Sequence, residues 1–139
     1  MKNGFTLIEV MVALIVIMIF SLALFQMFTI CVRSSTYAEC QTYATVLGSE
    51  KILWLEGVSM DDPDLDPAWH QDPGNPVVQG DHEFFRFWSV RDVAGGKEVT
   101  IWVAWGEGQR AQPVDFASYE DMLASRCPSM EFSSMIFNE

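Results

Sequence analysis

One carboxylate in this chain sits where a charge is expensive. Glu9 is the only charged side chain between Phe5 and Val32, and the stretch that follows it, VMVALIVIMIFSLALF from Val10 to Phe25, carries no charge at all. An acid at the centre of a membrane helix costs roughly 2.5 to 3.5 kcal/mol on insertion scales, so Glu9 calls for a cation close by. The remaining reactive residues make weaker cases. Asp61, Asp62, Asp64 and Asp66 cluster in sequence and offer oxygen ligands of the kind calcium takes. The helix-loop-helix calcium spacing is absent, however, and Pro63 and Pro67 restrict how the loop could wrap an ion, so a solvated acidic loop is expected and no metal. His70 and His82 have no nucleophile elbow, phosphate loop or metal-ligand spacing around them, so neither catalysis nor a cofactor is expected. Of the cysteines, Cys31 and Cys40 stand about 13 Å apart along a helix axis and cannot pair with each other. If a disulfide forms, Cys127 is the partner, and Cys40 with Cys127 would staple the C-terminal segment to the helix in an oxidising compartment. The odd count leaves intermolecular pairing open.

The residues around Glu9 carry a specific pattern. Gly4-Phe5-Thr6-Leu7-Ile8-Glu9-Val10, after the short basic leader Met1-Lys2-Asn3, resembles the processing site of type IV pilins and type II secretion pseudopilins. The resemblance implies that a prepilin peptidase cuts after Gly4 and methylates the new amine of Phe5. It also implies that Glu9 pairs with the N-terminal amine of a neighbouring subunit in a filament. Cleavage supplies the missing cation, since an ammonium at Phe5 lies one helical turn from Glu9. Many major pilins bend this helix with a proline near its middle, where this chain has Gln26, which favours a straighter helix and a minor subunit. Some pseudopilins bind calcium in the head, which is the family's reason to consider the four aspartates. The resemblance further implies other pilins, the peptidase and an inner-membrane assembly platform as partners. A minor pilin of a type IV pilus is the first expectation and a minor pseudopilin the second. A signal-anchored periplasmic interaction protein that enters no filament is the alternative from another class. A cleaved secretory signal fits less well: Ser21-Leu22-Ala23 faintly mimics its cleavage site, but the apolar run continues past it.

Composition agrees with an anchor and a soluble part. The 139 residues carry 8 Lys+Arg against 19 Asp+Glu, a formal net charge of −11. Such a chain repels nucleic acid and anionic lipid heads. From Arg33 to Glu139 there are 7 basic and 18 acidic residues, so charge and hydrophobicity are segregated along the sequence. Together with the resemblance, this implies a location in the bacterial inner membrane, crossed once, with the head in the periplasm, and then in a pilus or pseudopilus.

The elements that must carry these groups follow from periodicity. An α+β fold is expected, which the resemblance makes pilin-like: a leader over 1–4, a long helix over 5–57 and a head over 58–139. Within the helix, 5–32 is the transmembrane or filament-core part and 33–57 is amphipathic. Tyr37, Cys40, Tyr43, Ala44, Leu47, Trp54, Leu55 and Val58 form one arc at 100° per residue, suited to packing on a sheet. Lys51 falls in the same arc, and its stem is expected to lie along the edge with the ammonium outside. Gly48 weakens the helix slightly, and Gly57 ends it. Met60 to Gly80, with four prolines and no period, reads as one long loop. Glu83–Val93 and Glu98–Trp105 flank Gly95-Gly96 and read as a β-hairpin. That hairpin resembles the one in PilV-type minor pilins and I-type pseudopilins. Trp102 and Trp105 point to opposite faces, so one is expected on the helix and the other partly exposed. Pro113–Tyr119 is a candidate third strand, Ser118–Ala124 a helical turn or two, and Met130–Phe137 an edge strand or docking segment.

Overall fold

The computed structural model describes residues 6–106, 116, 118–125 and 127–137. The chain divides into two compact units, Met1–Ala38 and Glu39–Glu139. Among the described residues, helix α1, Leu7–Glu56, supplies the regular structure of the first and one layer of the second.

In the first unit the helix buries nothing. Ile8, Leu14, Phe20, Phe25 and Phe28 are among the large apolar side chains left exposed on all sides of α1. Ser21 and Thr29 donate their hydroxyls to the carbonyls of Ile17 and Phe25, 2.9 and 3.0 Å away, which hides the polar groups in the backbone. The segment thus satisfies its own hydrogen bonds and lacks only an apolar medium, the condition a bilayer-crossing helix meets.

The second unit is the C-terminal part of α1, from Glu39 on, against an antiparallel sheet. Its strands are β1 (Trp69–Gln71), β2 (Val77–Gln79), β3 (His82–Val93), β4 (Gly96–Trp105) and β5 (Ser129–Phe137), with a short helix α2 (Tyr119–Ser125) between the last two. The order is β1-β3-β4-β5, and β2 also pairs with β3. The hairpin of β3 and β4 is the one the sequence predicts, and Gly95 takes the positive φ of 93° that its tight turn requires. Alternation then sorts the side chains. Phe84, Trp88, Val90, Val99, Ile101, Val103 and Trp105 meet Cys40, Ala44, Leu47 and Leu55 of α1. Phe85, Phe87 and Trp102, on the other face, are covered by Phe116 and Met122.

Several expectations are corrected here. The core stripe of α1 is Cys40, Ala44, Leu47, Gly48, Lys51 and Leu55, whereas Tyr37 and Trp54 at the margins of the predicted arc are 39% and 46% exposed. Gly48 is an approach point as well as a weak helix former: a Cβ there would run into the Phe132 ring. Trp102 is buried, because α2, Phe116 and Trp69 form a second layer that has no periodic signature in sequence. The 60–80 stretch is also more than a loop. It holds a 3-10 turn at Pro63–Leu65 and the strands β1 and β2, which lie end to end along one edge of β3. Between these strands Asp72 Oδ1 accepts from the Gly74 amide at 2.9 Å, the Asx turn that Asp-Pro-Gly favours. The Asn75 side chain then pairs with both backbone groups of Arg86, at 2.8 and 2.9 Å, in place of a strand residue. Of the candidate third strand at Pro113–Tyr119, residues 113–115 and 117 lie outside the described residues; Phe116 packs beneath α2.

Candidate functional site

The N-terminal motif is built around one helical turn. Thr6 precedes the first helical residue, and its Oγ1 accepts from the Glu9 amide at 3.4 Å while Glu9 Oε2 accepts from the Thr6 amide at 3.5 Å. The Glu9 and Val10 amides also bond the Thr6 carbonyl, at 3.1 and 3.3 Å. This reciprocal arrangement is a capping box, which satisfies amides that no helical carbonyl can reach. The carboxylate also stands in the first turn, where the aligned peptide dipoles favour an anion. The T-x-x-E spacing signals this box, and reading Glu9 only as a charge in need of a cation overlooks it. Glu9 forms no ion pair among the described residues. Gly4 and Phe5, the expected cleavage and methylation positions, lie outside them.

The second unit holds a buried charge cluster that sequence periodicity does not disclose. Lys51, beyond the apolar segment of α1, is 7% exposed, and its Nζ lies 4.0 Å from the ring centroids of both Trp54 and Trp88. The expectation of an ammonium outside the fold is therefore wrong. Indole faces on two sides and a carboxylate nearby let the cation stay inside. Asp72 Oδ2 is 4.0 Å from Lys51 Nζ and 2.8 Å from Arg86 Nη2. The Arg86 contact is close without hydrogen-bond alignment, since Asp72 Oδ2 and Arg86 Nε are buried with no hydrogen-bond partner. Burial pushes the Lys51 ammonium below the ordinary lysine range, and the charges of Asp72 and Asp64 oppose that shift. The cluster joins α1, the turn after β1 and β3, so it fixes the loop in place. Lys97 does the same farther along, donating to the carbonyls of Met60 and Leu65 at 3.0 and 2.7 Å.

The other sequence candidates fall into structural posts. Asp62 accepts from the Asp64 amide at 3.0 Å and caps the 3-10 turn; the Asp64 carbonyl accepts from Trp88 Nε1 at 2.8 Å. The Asp66 carbonyl lies 2.8 Å from His70 Nε2, and the His70 ring stacks on Trp88 at 5.3 Å. Among the described residues no three acidic, histidine or cysteine side chains converge as a metal site, so Asp61, Asp62, Asp64 and Asp66 have no calcium geometry. The possible disulfide partners Cys40 and Cys127 lie in separate clusters. Cys40 lies in the core between α1 and the sheet while Cys127 packs with Phe85 and Trp102 on the other face, so the sheet stands between them.

Comparison with known proteins singles out the same end of the chain. The family model of the prokaryotic N-terminal methylation motif matches residues 1–25. No curated protein and no solved structure matches the chain. The motif supports the type IV pilin or pseudopilin class, a structural subunit processed by prepilin peptidase, and it fits a membrane-anchored chain.

Proposed function

We propose that this chain is a minor pilin-like subunit that contributes to assembly or initiation of a type IV pilus. The observation that carries the reading is the place of Glu9 in the capping box. Its carboxylate reaches back to the Thr6 amide, and Thr6 follows Phe5, the residue that would bear the new amine if the Gly4–Phe5 bond were cut. Before assembly the box satisfies the acid and the helix end together. In a filament the same carboxylate would accept the ammonium of Phe5 from a neighbour, and the match required would set the axial register. The apolar surface of α1 from Leu7 to Val32 suits both environments, because lipid tails and packed helices are similarly apolar. Gln26 in place of a helix-bending proline favours the minor role; a type II secretion pseudopilin would share the same N-terminal features.

The test is the N-terminus by mass spectrometry after expression with and without a prepilin peptidase, beside a Gly4→Ala control. A product beginning at N-methylated Phe5, absent from the control, supports the reading. Retention of Met1 in the presence of active peptidase overturns it and leaves a signal-anchored periplasmic interaction protein.

A further inference from the structure

The two borders of the head's sheet are treated differently. One is formed by β1 and β2, three residues each, interrupted by a turn and set among Pro63, Pro67, Pro73 and Pro76. Short strands and prolines are how proteins stop a sheet from recruiting another strand. The other border is β5, nine residues long, Ser-Met-Glu-Phe-Ser-Ser-Met-Ile-Phe, with no proline and no cation.

The register says which backbone groups of β5 are open. Trp105 donates its amide to the Pro128 carbonyl at 3.1 Å, and the ladder continues from there as Ala104 opposite Ser129 and Val103 opposite Met130. Hydrogen-bonded and non-bonded pairs alternate in an antiparallel ladder. Met130, Phe132, Ser134 and Ile136 therefore bond β4, and Ser129, Glu131, Ser133, Met135 and Phe137 turn their amides and carbonyls outward. All five outward residues are exposed, and none of these backbone groups bonds another described residue outside the ladder.

Charge decides what can sit there. Glu131 is the only charged residue of β5, and Glu56 Oε1 accepts from Ser134 at 2.8 Å on the opposite face, so carboxylates flank the strand on both sides. The head as a whole is acidic, which disfavours a second copy of itself. Met135 and Phe137, 46% and 65% exposed, leave apolar surface at the far end. We infer that β5 is a docking edge for an extended basic segment of a partner protein, which adds a strand to the sheet and sets a cation against Glu131. In this mode the main chain supplies affinity and alternate side chains supply specificity. The inference goes beyond the filament reading and holds whether or not the Gly4–Phe5 bond is cut.

The experiment uses the full chain in detergent micelles and a capped nonapeptide probe, Lys-Val-Thr-Val-Lys-Val-Thr-Val-Lys, with a version carrying glutamate for each lysine. Binding is read by anisotropy of the labelled peptide and by amide shifts along β5. Ser133→Pro removes one outward amide and no bond to β4. Ser133→Lys keeps the amide and adds a repelling cation. The expected result is that the basic peptide binds and moves the amides of Glu131, Ser133 and Met135. The glutamate peptide and both variants should then bind at least about tenfold more weakly, a loss of about 1.4 kcal/mol, while Ser133→Ala is unchanged. Equal binding by the variants, equal binding by the glutamate peptide, no binding at millimolar peptide, or self-association of the chain that Ser133→Pro abolishes each overturns the proposal.

Discussion

The ammonium of Lys51 lies 4.0 Å from the ring centroid of Trp88, inside the packed interface between α1 and the sheet. Burial is the larger influence on it and depresses its pKa; Asp72, Asp64 and Asp62 act against burial, and Arg86 acts with it. A depressed folded pKa means that the native state binds fewer protons than the unfolded chain between that value and 10.5. This group's contribution therefore improves as pH rises through that window, and below it the desolvated ammonium is a standing cost. Thermal melts of the wild type and Lys51→Met between about pH 7 and about pH 10 should show the wild type gaining on the variant as pH rises. A wild type that loses ground would mean that the indoles and Asp72 outweigh desolvation.

Arg86 should behave differently from Lys51. It makes the closer contact with Asp72, 2.8 Å against 4.0 Å, and bonds the Leu47 carbonyl at 3.5 Å. Lys51→Met leaves Asp72 with Arg86 and removes a buried charge, which is often close to neutral. Arg86→Met takes away the closer cation, leaves Asp72 only the more distant Lys51, and should cost about 3 kcal/mol. Denaturant titrations of the two variants side by side test the ranking, and equal losses would refute it.

Gly48→Ala tests a contact against a propensity. Alanine in a helix interior is favoured over glycine by about 1 kcal/mol. Here its Cβ would overlap the Phe132 ring. Overpacking of this kind costs about 1 to 3 kcal/mol, so a net loss is expected. In a Phe132→Ala background the sign should reverse, because only the propensity remains. Melting temperatures of the four proteins of that cycle decide it.

The cysteines give a chemical check on the sheet's two faces. Cys40 and Cys127 belong to clusters on opposite sides of β3 and β4. With the sheet between them, peptide mapping of the alkylated chain before and after reduction should find no Cys40 to Cys127 bridge. A peptide pair joined by that bridge in the unreduced sample would restore the possible staple.

What the sequence discloses and what it hides divide along physical lines. The β3 and β4 hairpin and the end of α1 at Gly57 are legible because alternation and glycine placement are local. The apolar end of α1 is legible because Val10 to Val32 is a run without a charge, long enough to cross a bilayer. The burial of Lys51 is not, because its stabilising partners, Trp54, Trp88 and Asp72, come from three separate segments. Trp102 is hidden for the same reason, since Phe116 and Met122 cover it from beyond the hairpin. At the N-terminus the charge of Glu9 draws attention to the motif and away from the helix cap within it, although Thr6 and Glu9 have the required spacing.

That double role of Glu9 can be separated by experiment. Thr6→Ala removes one arm of the capping box and should fray the first turn of α1, an effect readable as faster amide exchange at Leu7 to Glu9, whereas Glu9→Gln keeps a side-chain carbonyl that can accept from the Thr6 amide. Glu9→Gln instead removes the charge that would accept a neighbour's ammonium. With a prepilin peptidase and the assembly machinery present, both variants should be cleaved after Gly4. Thr6→Ala should enter filaments, and Glu9→Gln should accumulate as processed subunits in the membrane. Equal incorporation of the two would reduce Glu9 to a helix cap and remove the observation on which the filament reading rests. Failure of Thr6→Ala as well would give the helix cap a part of its own in assembly beside the charge.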